Sequence, residues 1–271
     1  MIKMLVTDID GTILGKSLKL TPKTIESFRR LKSIGVKTVL ATGRMYRATV
    51  PIAKELGIDD PLITYQGGFI KEPSLEAKPL RAIFLERDLT LEIADFVKQQ
   101  NIHLNLYADD TLFVEQKNQI IERYCANVNC TYSLTKDFRN IDFKGVHKLL
   151  AIDNDAGKIS ELTANLLAKY GDRAYITNST PYYCEISSPK ATKGEAVKFL
   201  ADLWKIKEEE IFAIGDQDND IELLRNAGIK IAMGNSSEGL KKKADFITDD
   251  VDDDGFVKAV EKYILEGEYE Y

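Results

Sequence analysis

Apolar positions near the start of the chain follow two alternating rhythms. Residues 3–7 (KMLVT) form a continuous β-prone run, the pattern of a strand covered on both faces. Thr21 then offers a helix N-cap with Pro22 in the first turn. Ile25, Phe28, Leu31 and Ile34 recur at helical spacing, and Gly35 supplies the stop. Residues 36–41 predict the next strand. A helix then runs to about Leu56 and ends at Gly57, and residues 62–65 predict a third strand. Strands and helices alternating at these lengths predict right-handed βαβ units and a parallel sheet.

The far end returns to the same rhythm. It predicts a helix over 194–204, a strand over 210–214, a helix through Leu223 and Leu224, and a strand over 230–233. A short strand near 244–248 and a closing helix over 256–265 complete it. The middle differs. It predicts a helix over 89–100 and a strand over 103–107, a turn at Asp109-Asp110, and a strand over 111–115. A helix near 119–126, a strand near 146–152, a helix near 158–170 and strands over 174–177 and 182–187 follow. Neighbouring strands joined by tight turns predict antiparallel pairing and an α+β unit. The expected fold is therefore α/β, a Rossmann-like doubly wound parallel sheet interrupted by an inserted α+β domain.

Composition narrows the class. A chain of 271 residues allows one large domain or two modest ones. With 44% hydrophobic and 30% charged residues it reads as a soluble globular protein rather than a disordered one. The net charge of −6 argues against nucleic acid or an anionic membrane as partner through the overall field. No apolar run approaches the ~18 residues of a membrane span. The opening MIKMLVTDIDGT carries acids where a signal peptide would not, so a cytoplasmic location is expected. Cys125, Cys130 and Cys184 show no CxxC spacing and are expected as reduced thiols. His103 and His147 stand far apart and no GxSxG accompanies them, which disfavours a zinc site or a Ser-His-Asp triad.

The polar segments that carry chemistry sit at strand ends. Asp8-Ile9-Asp10-Gly11-Thr12 follows the first strand directly, where open parallel sheets bind ligands. Two carboxylates there require a cation or hydrogen bonds, although an acidic loop with Asp as a cap is the plain alternative. Ala41-Thr42-Gly43-Arg44 occupies the matching place after the second strand. Its hydroxyl and glycine could present donors to an oxyanion, or could simply make a turn. Gly215-Asp216-Gln217-Asp218-Asn219-Asp220 again follows a strand. Helix capping uses one or two of its carboxylates, whereas a hard cation ligated by oxygens accounts for the set. Lys193-Gly194 opens the preceding helix. Alone, that lysine reads as solvated.

These four segments, in this order, strongly resemble the haloacid dehalogenase (HAD) superfamily of phosphotransferases, with the spacing of the Cof-type hydrolases of subclass IIB. The segment Ala227-Gly228-Ile229-Lys230-Ile231-Ala232-Met233-Gly234-Asn235 resembles the stretch after the family's last acidic motif. The resemblance implies a catalytic core over 1–83 and 189–271 and an α/β cap over 84–188. It implies Asp8 as the nucleophile and Asp10 as general acid and base, its backbone carbonyl also ligating metal. Thr42 would bind phosphoryl oxygens, and Lys193 would offset the charge of Asp8 and phosphate. Asp216 would complete an Mg2+ site with Asp8 and Asp10, Asn219 would contact the phosphorylated ligand or orient the shell, and Asp220 would hold that shell or Lys193. Gly11, Thr12, Gly43 and Arg44 belong to the expected phosphate-binding loops. Arg44 and Arg47 on their own read as exposed basic residues. Where the family usually has Asn-Gly after the third strand, this chain has Gln66-Gly67.

In the inserted segment Tyr183 and Glu185 alternate onto one strand face, with Cys184 and Ile186 on the other. Glu185 is a candidate substrate contact, and an ordinary cross-strand or solvated Glu is the alternative. The leading expectation is an Mg2+-dependent phosphatase of small phosphate monoesters, such as sugar phosphates or related metabolites, acting through an aspartyl phosphate. A sugar phosphomutase would use the same Asp8 and Asp10 but return the phosphoryl group to the sugar. A non-enzymatic phospho-acceptor switch has no use for Asp10 or for a large cap.

Overall fold

A computed structural model describes residues 1–74 and 76–267. Residue 75 and the last four positions of the expected core segment 189–271 lie outside the described residues. The chain opens with β1 (Met4–Thr7), α1 (Pro22–Ser33), β2 (Lys37–Leu40) and α2 (Tyr46–Leu56). It continues through β3 (Leu62–Thr64), β4 (Phe69–Lys71) and β5 (Arg81–Ala82). The inserted part holds α3 (Arg87–Gln99), β6 (His103–Ala108), β7 (Thr111–Val114), α4 (Gln119–Val128) and β8 (Tyr132–Leu134). It ends with β9 (Val146–Ile152), α5 (Ala156–Tyr170), β10 (Tyr175–Thr180) and β11 (Tyr183–Ser187). The chain then returns through α6 (Lys193–Trp204), β12 (Ile211–Gly215), α7 (Ile221–Leu224) and β13 (Ile229–Ala232). It closes with α8 (Glu238–Lys241), β14 (Phe246–Ile247) and α9 (Gly255–Val260).

The first sheet is wholly parallel, in the order β14-β13-β12-β1-β2. Its central strand explains the unbroken apolar run at the start of the chain. Leu5 packs into one layer with Phe28, Leu31 and Phe256, while Met4 and Val6 pack into the opposite layer with Val197 and Leu200. Both faces are covered, so no polar alternation is tolerated. Thr21 caps α1 by accepting the Thr24 N–H, and Gly57 ends α2 in the left-handed region at φ 70°. Phe28 stacks on Phe256 at 5.2 Å between ring centres, fixing the first helix to the last.

The second sheet runs β10-β11-β9-β6-β7-β8 and is antiparallel except for the β7–β8 edge pair. Helices α3 and α5 cover one face through Ile93, Leu162 and Leu166, against Leu149, Cys184 and Ile186. The other face turns toward the parallel sheet. This is the expected doubly wound core with an α+β cap.

Two expectations need correction. The strand expected over 62–65 does not extend the parallel sheet as a full member. It stops at Thr64 because Tyr65 and Gln66 both adopt left-handed backbone, at φ 52° and 58°. It pairs antiparallel with β4, and β4 with β5, reaching β2 through one bridge between Ala41 and Ile63. The closing helix stays α-helical only to Val260 and widens into a π turn over Glu261–Leu265. Strand β8 has the polar, half-exposed sequence YSL and gave no apolar signal. Among the described residues no helix is long and apolar enough to cross a membrane.

Candidate active site

The expected segments meet at the carboxyl edge of the parallel sheet. Asp8 follows β1, Thr42 follows β2, and Asp216 follows β12, one strand over. Lys193, the first residue of α6, is buried between two of the acids. Its Nζ donates to Asp8 Oδ1 and to Asp220 Oδ1, each at 2.6 Å. The second oxygen of Asp220 accepts the backbone N–H groups of Asp216 at 3.0 Å and Gln217 at 3.2 Å. Asp220 therefore anchors both the lysine and the turn that carries Asp216.

Asp216 is held in turn. Its Oδ2 accepts from Gln217 Nε2 at 3.0 Å and its Oδ1 from the Thr12 hydroxyl at 3.5 Å. Gly11 sits at φ 83°, and a Cβ there would lie 2.2 Å from Asp216 Oδ2, so the close approach of the two loops requires glycine. The Gly11 carbonyl accepts from Asn235 Nδ2 at 2.8 Å, which ties the segment after β13 to the same corner.

The electrostatics are unbalanced. Carboxylate oxygens of Asp8, Asp216 and Asp220 lie within 4.8 Å of one another, with Lys193 as the ammonium between them. Burial holds Asp8 well above the usual carboxylate range. Lys193 opposes that shift, and Asp220, Asp216 and Asp10 add to it. Burial, then the charge of Asp220, pushes Asp216 up to about 7. Lys193 is raised, because Asp220 and Asp8 together outweigh its own loss of hydration. Oxygen donors crowded to the point of resisting ionisation fit a hard divalent cation. Asp8 and Asp216 would hold it, with the Asp10 backbone carbonyl in the role expected for it.

The Asp10 carboxylate stays outside this cluster. Arg44 Nε donates to its Oδ2 at 2.7 Å and a terminal Arg44 nitrogen to its Oδ1 at 2.5 Å. Arg44 is thus no solvated cation. Only 10% of its side chain is exposed and its fork binds Asp10, while Arg47 remains exposed beside Asp110. Thr42 is buried, and its hydroxyl oxygen accepts the Arg44 N–H at 3.1 Å. Asn219 Nδ2 donates to Gln66 Oε1 at 3.2 Å. Gln66 Nε2 and Asn219 Oδ1 are buried without a hydrogen-bond partner. A spare donor and a spare acceptor therefore lie in the wall of the cavity.

That cavity, of about 250 Å3, lies between the two sheets. Asp8, Thr42 and Asp216 line it from the core, and Tyr124, Leu150 and Tyr183 from the cap. Glu185 also faces it, while Cys184 and Ile186 pack with the cap helices. Glu185 is not solvated; its Oε2 accepts from Lys148 Nζ at 2.6 Å and its Oε1 from the Ser179 hydroxyl at 3.0 Å. Lys148 is a residue that the sequence reading missed. A lone lysine inside the apolar run VHKLLAI was the available signal.

The family model of haloacid dehalogenase-like hydrolases matches residues 5–260. A 5-amino-6-(5-phospho-D-ribitylamino)uracil phosphatase of Bacillus subtilis (strain 168) is 26% identical over 266 residues, spanning 96% of this chain and 97% of that protein. The crystal structure of TM0651 from Thermotoga maritima is similar with a TM-score of 0.82 and 30% identity, covering 97% of both chains. A haloacid dehalogenase-like hydrolase from Bacteroides thetaiotaomicron is similar with a TM-score of 0.86 and 26% identity, over 97% of this chain and 100% of that one.

Proposed function

The chain belongs to the haloacid dehalogenase-like hydrolases, and we propose that it is a Mg2+-dependent phosphatase of small phosphate monoesters, sugar phosphates or related metabolites. The observation that carries this reading is the buried Lys193 bridging Asp8 and Asp220 beneath the cavity. A carboxylate cannot attack a phosphate dianion unless cations offset both charges, and this arrangement supplies one cation and a site for another. The similarity to a phosphatase named for a phosphorylated ribityl compound supports a small phosphorylated substrate.

A free oxygen of Asp8 attacks phosphorus, forming the aspartyl phosphate as the bond to the leaving oxygen breaks. Asp10 gives its proton to that oxygen. It then takes a proton from the water that attacks the phosphoryl group, which releases phosphate and restores Asp8. The Thr42 hydroxyl and the loop at Gly43 bind phosphoryl oxygens. The divalent ion, when bound, offsets the charge of Asp8 and of the phosphoryl group. The cap excludes water from the cavity and selects the leaving group.

A screen of phosphorylated metabolites with Mg2+, scored by phosphate release, tests the reading. Phosphate release from at least one sugar-sized ester is expected, with a phosphoenzyme trapped at Asp8. Sugar phosphates isomerised without phosphate release, or no turnover of any ester, would overturn it.

A further inference from the structure

We infer that Lys148, carried by the cap, positions the loop Thr42-Gly43-Arg44, so that the Thr42 hydroxyl is set for the phosphoryl group only when the cap is closed. This rests on the site reading above and adds a residue to it. All seven residues of β9 are buried, and Lys148 in its middle is 1% exposed. A lysine at such a place needs partners for its charge. Glu185 on the neighbouring strand is one, and the face of Tyr107 lies 5.0 Å away. Those contacts stay within the cap. A further bond leaves it: Lys148 Nζ donates to the Gly43 carbonyl oxygen at 2.6 Å.

The Gly43 carbonyl shares one rigid peptide plane with the Arg44 N–H. That N–H donates to the Thr42 hydroxyl oxygen. With this lone pair occupied, the hydroxyl proton is free to point at a phosphoryl oxygen. Fixing the carbonyl from the cap therefore fixes the hydroxyl on the core. The same plane carries the residue whose guanidinium holds Asp10. Gly43 must lack a side chain, since a Cβ would lie 2.6 Å from Gln66 Nε2 and 3.4 Å from Glu185 Oε1.

The test compares Lys148→Met, Lys148→Arg and Glu185→Gln with the unaltered protein. Substrates are an activated aryl phosphate and two sugar phosphates, and inorganic phosphate serves as a competitive inhibitor. Misplacing the loop should cost Lys148→Met about 10- to 100-fold in kcat/KM. The factor should be the same for every ester, and inhibition by phosphate should weaken. Glu185→Gln keeps an acceptor for Lys148 and should lose less. Lys148→Arg, which retains the charge in the strand, should fall between the two with the same uniformity, and it decides the matter if Lys148→Met does not fold. A loss confined to sugar phosphates with phosphate inhibition unchanged would make Lys148 a leaving-group contact. A lower melting temperature with unchanged kinetics would make it a packing residue. Either result overturns the inference. An unaltered protein that hydrolyses none of the esters would instead refute the phosphatase reading itself.

Discussion

Arg44 grips both carboxylate oxygens of Asp10, at 2.7 Å and 2.5 Å, joining the loop after β2 to the loop after β1. The fork commits both oxygens of that carboxylate to a single partner. With both oxygens turned to Arg44, neither is free to face a leaving group, so the pair describes a resting arrangement. An incoming phosphate dianion would compete for the same guanidinium. Substrate binding would thus release Asp10 for proton transfer and engage Arg44 in one exchange.

If Asp10 is the acid, Asp10→Asn should slow aspartylation according to the leaving group. Removing a general acid costs roughly 10²–10⁴-fold where the leaving oxygen needs protonation. An activated aryl phosphate needs little, so its single-turnover rate should fall far less than that of a sugar phosphate. Equal slowing of both would argue against the acid role.

Asp8→Asn should reduce turnover to background while preserving the fold. The amide matches the carboxylate in shape and can still accept from Lys193, but it is a poor nucleophile. Removing a negative charge beside Asp216 and Asp220 should leave binding of inorganic phosphate intact or tighter. More than a few per cent residual activity with no phosphoenzyme at position 8 would reject Asp8 as the nucleophile.

Much of the parallel core was legible because its signals are local. The run at 3–7 needs covering layers on both sides, and the acids at 8 and 216 directly follow strands that any reader of periodicity would place. The hairpin of β4 and β5 was hidden by its shortness and by the left-handed turn at Tyr65 and Gln66. The contacts between motifs are not local. Arg44 meets Asp10 across 34 residues, and Lys148 meets Gly43 across 105, so only the folded arrangement pairs them. The turns of the cap segment mark it as α+β, but which of its polar residues face the cavity depends on register with β9.

Lys193→Met should destabilise the protein as well as inactivate it. The ammonium is 1% exposed and bonds two buried carboxylates. Removing one member of a buried ion pair costs about 3–5 kcal/mol, because the remaining charges lose their compensation. Urea unfolding at neutral pH should register that loss. A change too small to resolve would contradict the compensating role of the buried ammonium.

Stability of the metal-free protein should fall as pH rises through the neutral range. Asp216 is pushed from the ordinary 3.8 up to about 7, and Asp8 shifts in the same direction. The folded state therefore holds protons that the unfolded chain has already released, so the contribution is fully present at low pH and is lost as pH rises through about 7. Protein treated with a chelator should melt lower at about pH 8 than at about pH 6, and Asp216→Asn should flatten the difference. Divalent ions should restore more at the higher pH, because binding requires the deprotonated acids. Identical pH profiles for the unaltered protein and Asp216→Asn would contradict the shift.

Mg2+ should activate and Ca2+ should inhibit. Mg2+ prefers six ligands in near-ideal octahedral geometry at about 2.0–2.1 Å and would take a single oxygen of Asp8, leaving the other to attack. Ca2+ accepts six to eight ligands and readily binds a carboxylate through both oxygens. That would occupy the attacking atom and shift the phosphoryl group from its line of approach. Asp8 and Asp216 offer carboxylate oxygen alone, a donor that both ions accept. Ca2+ should therefore bind and compete with Mg2+. The measurement is phosphate release by metal-stripped protein at saturating substrate, with Ca2+ titrated against fixed Mg2+. Full activity without a divalent ion, or equal activity with Ca2+, would rule out attack by an Asp8 oxygen left free beside the metal.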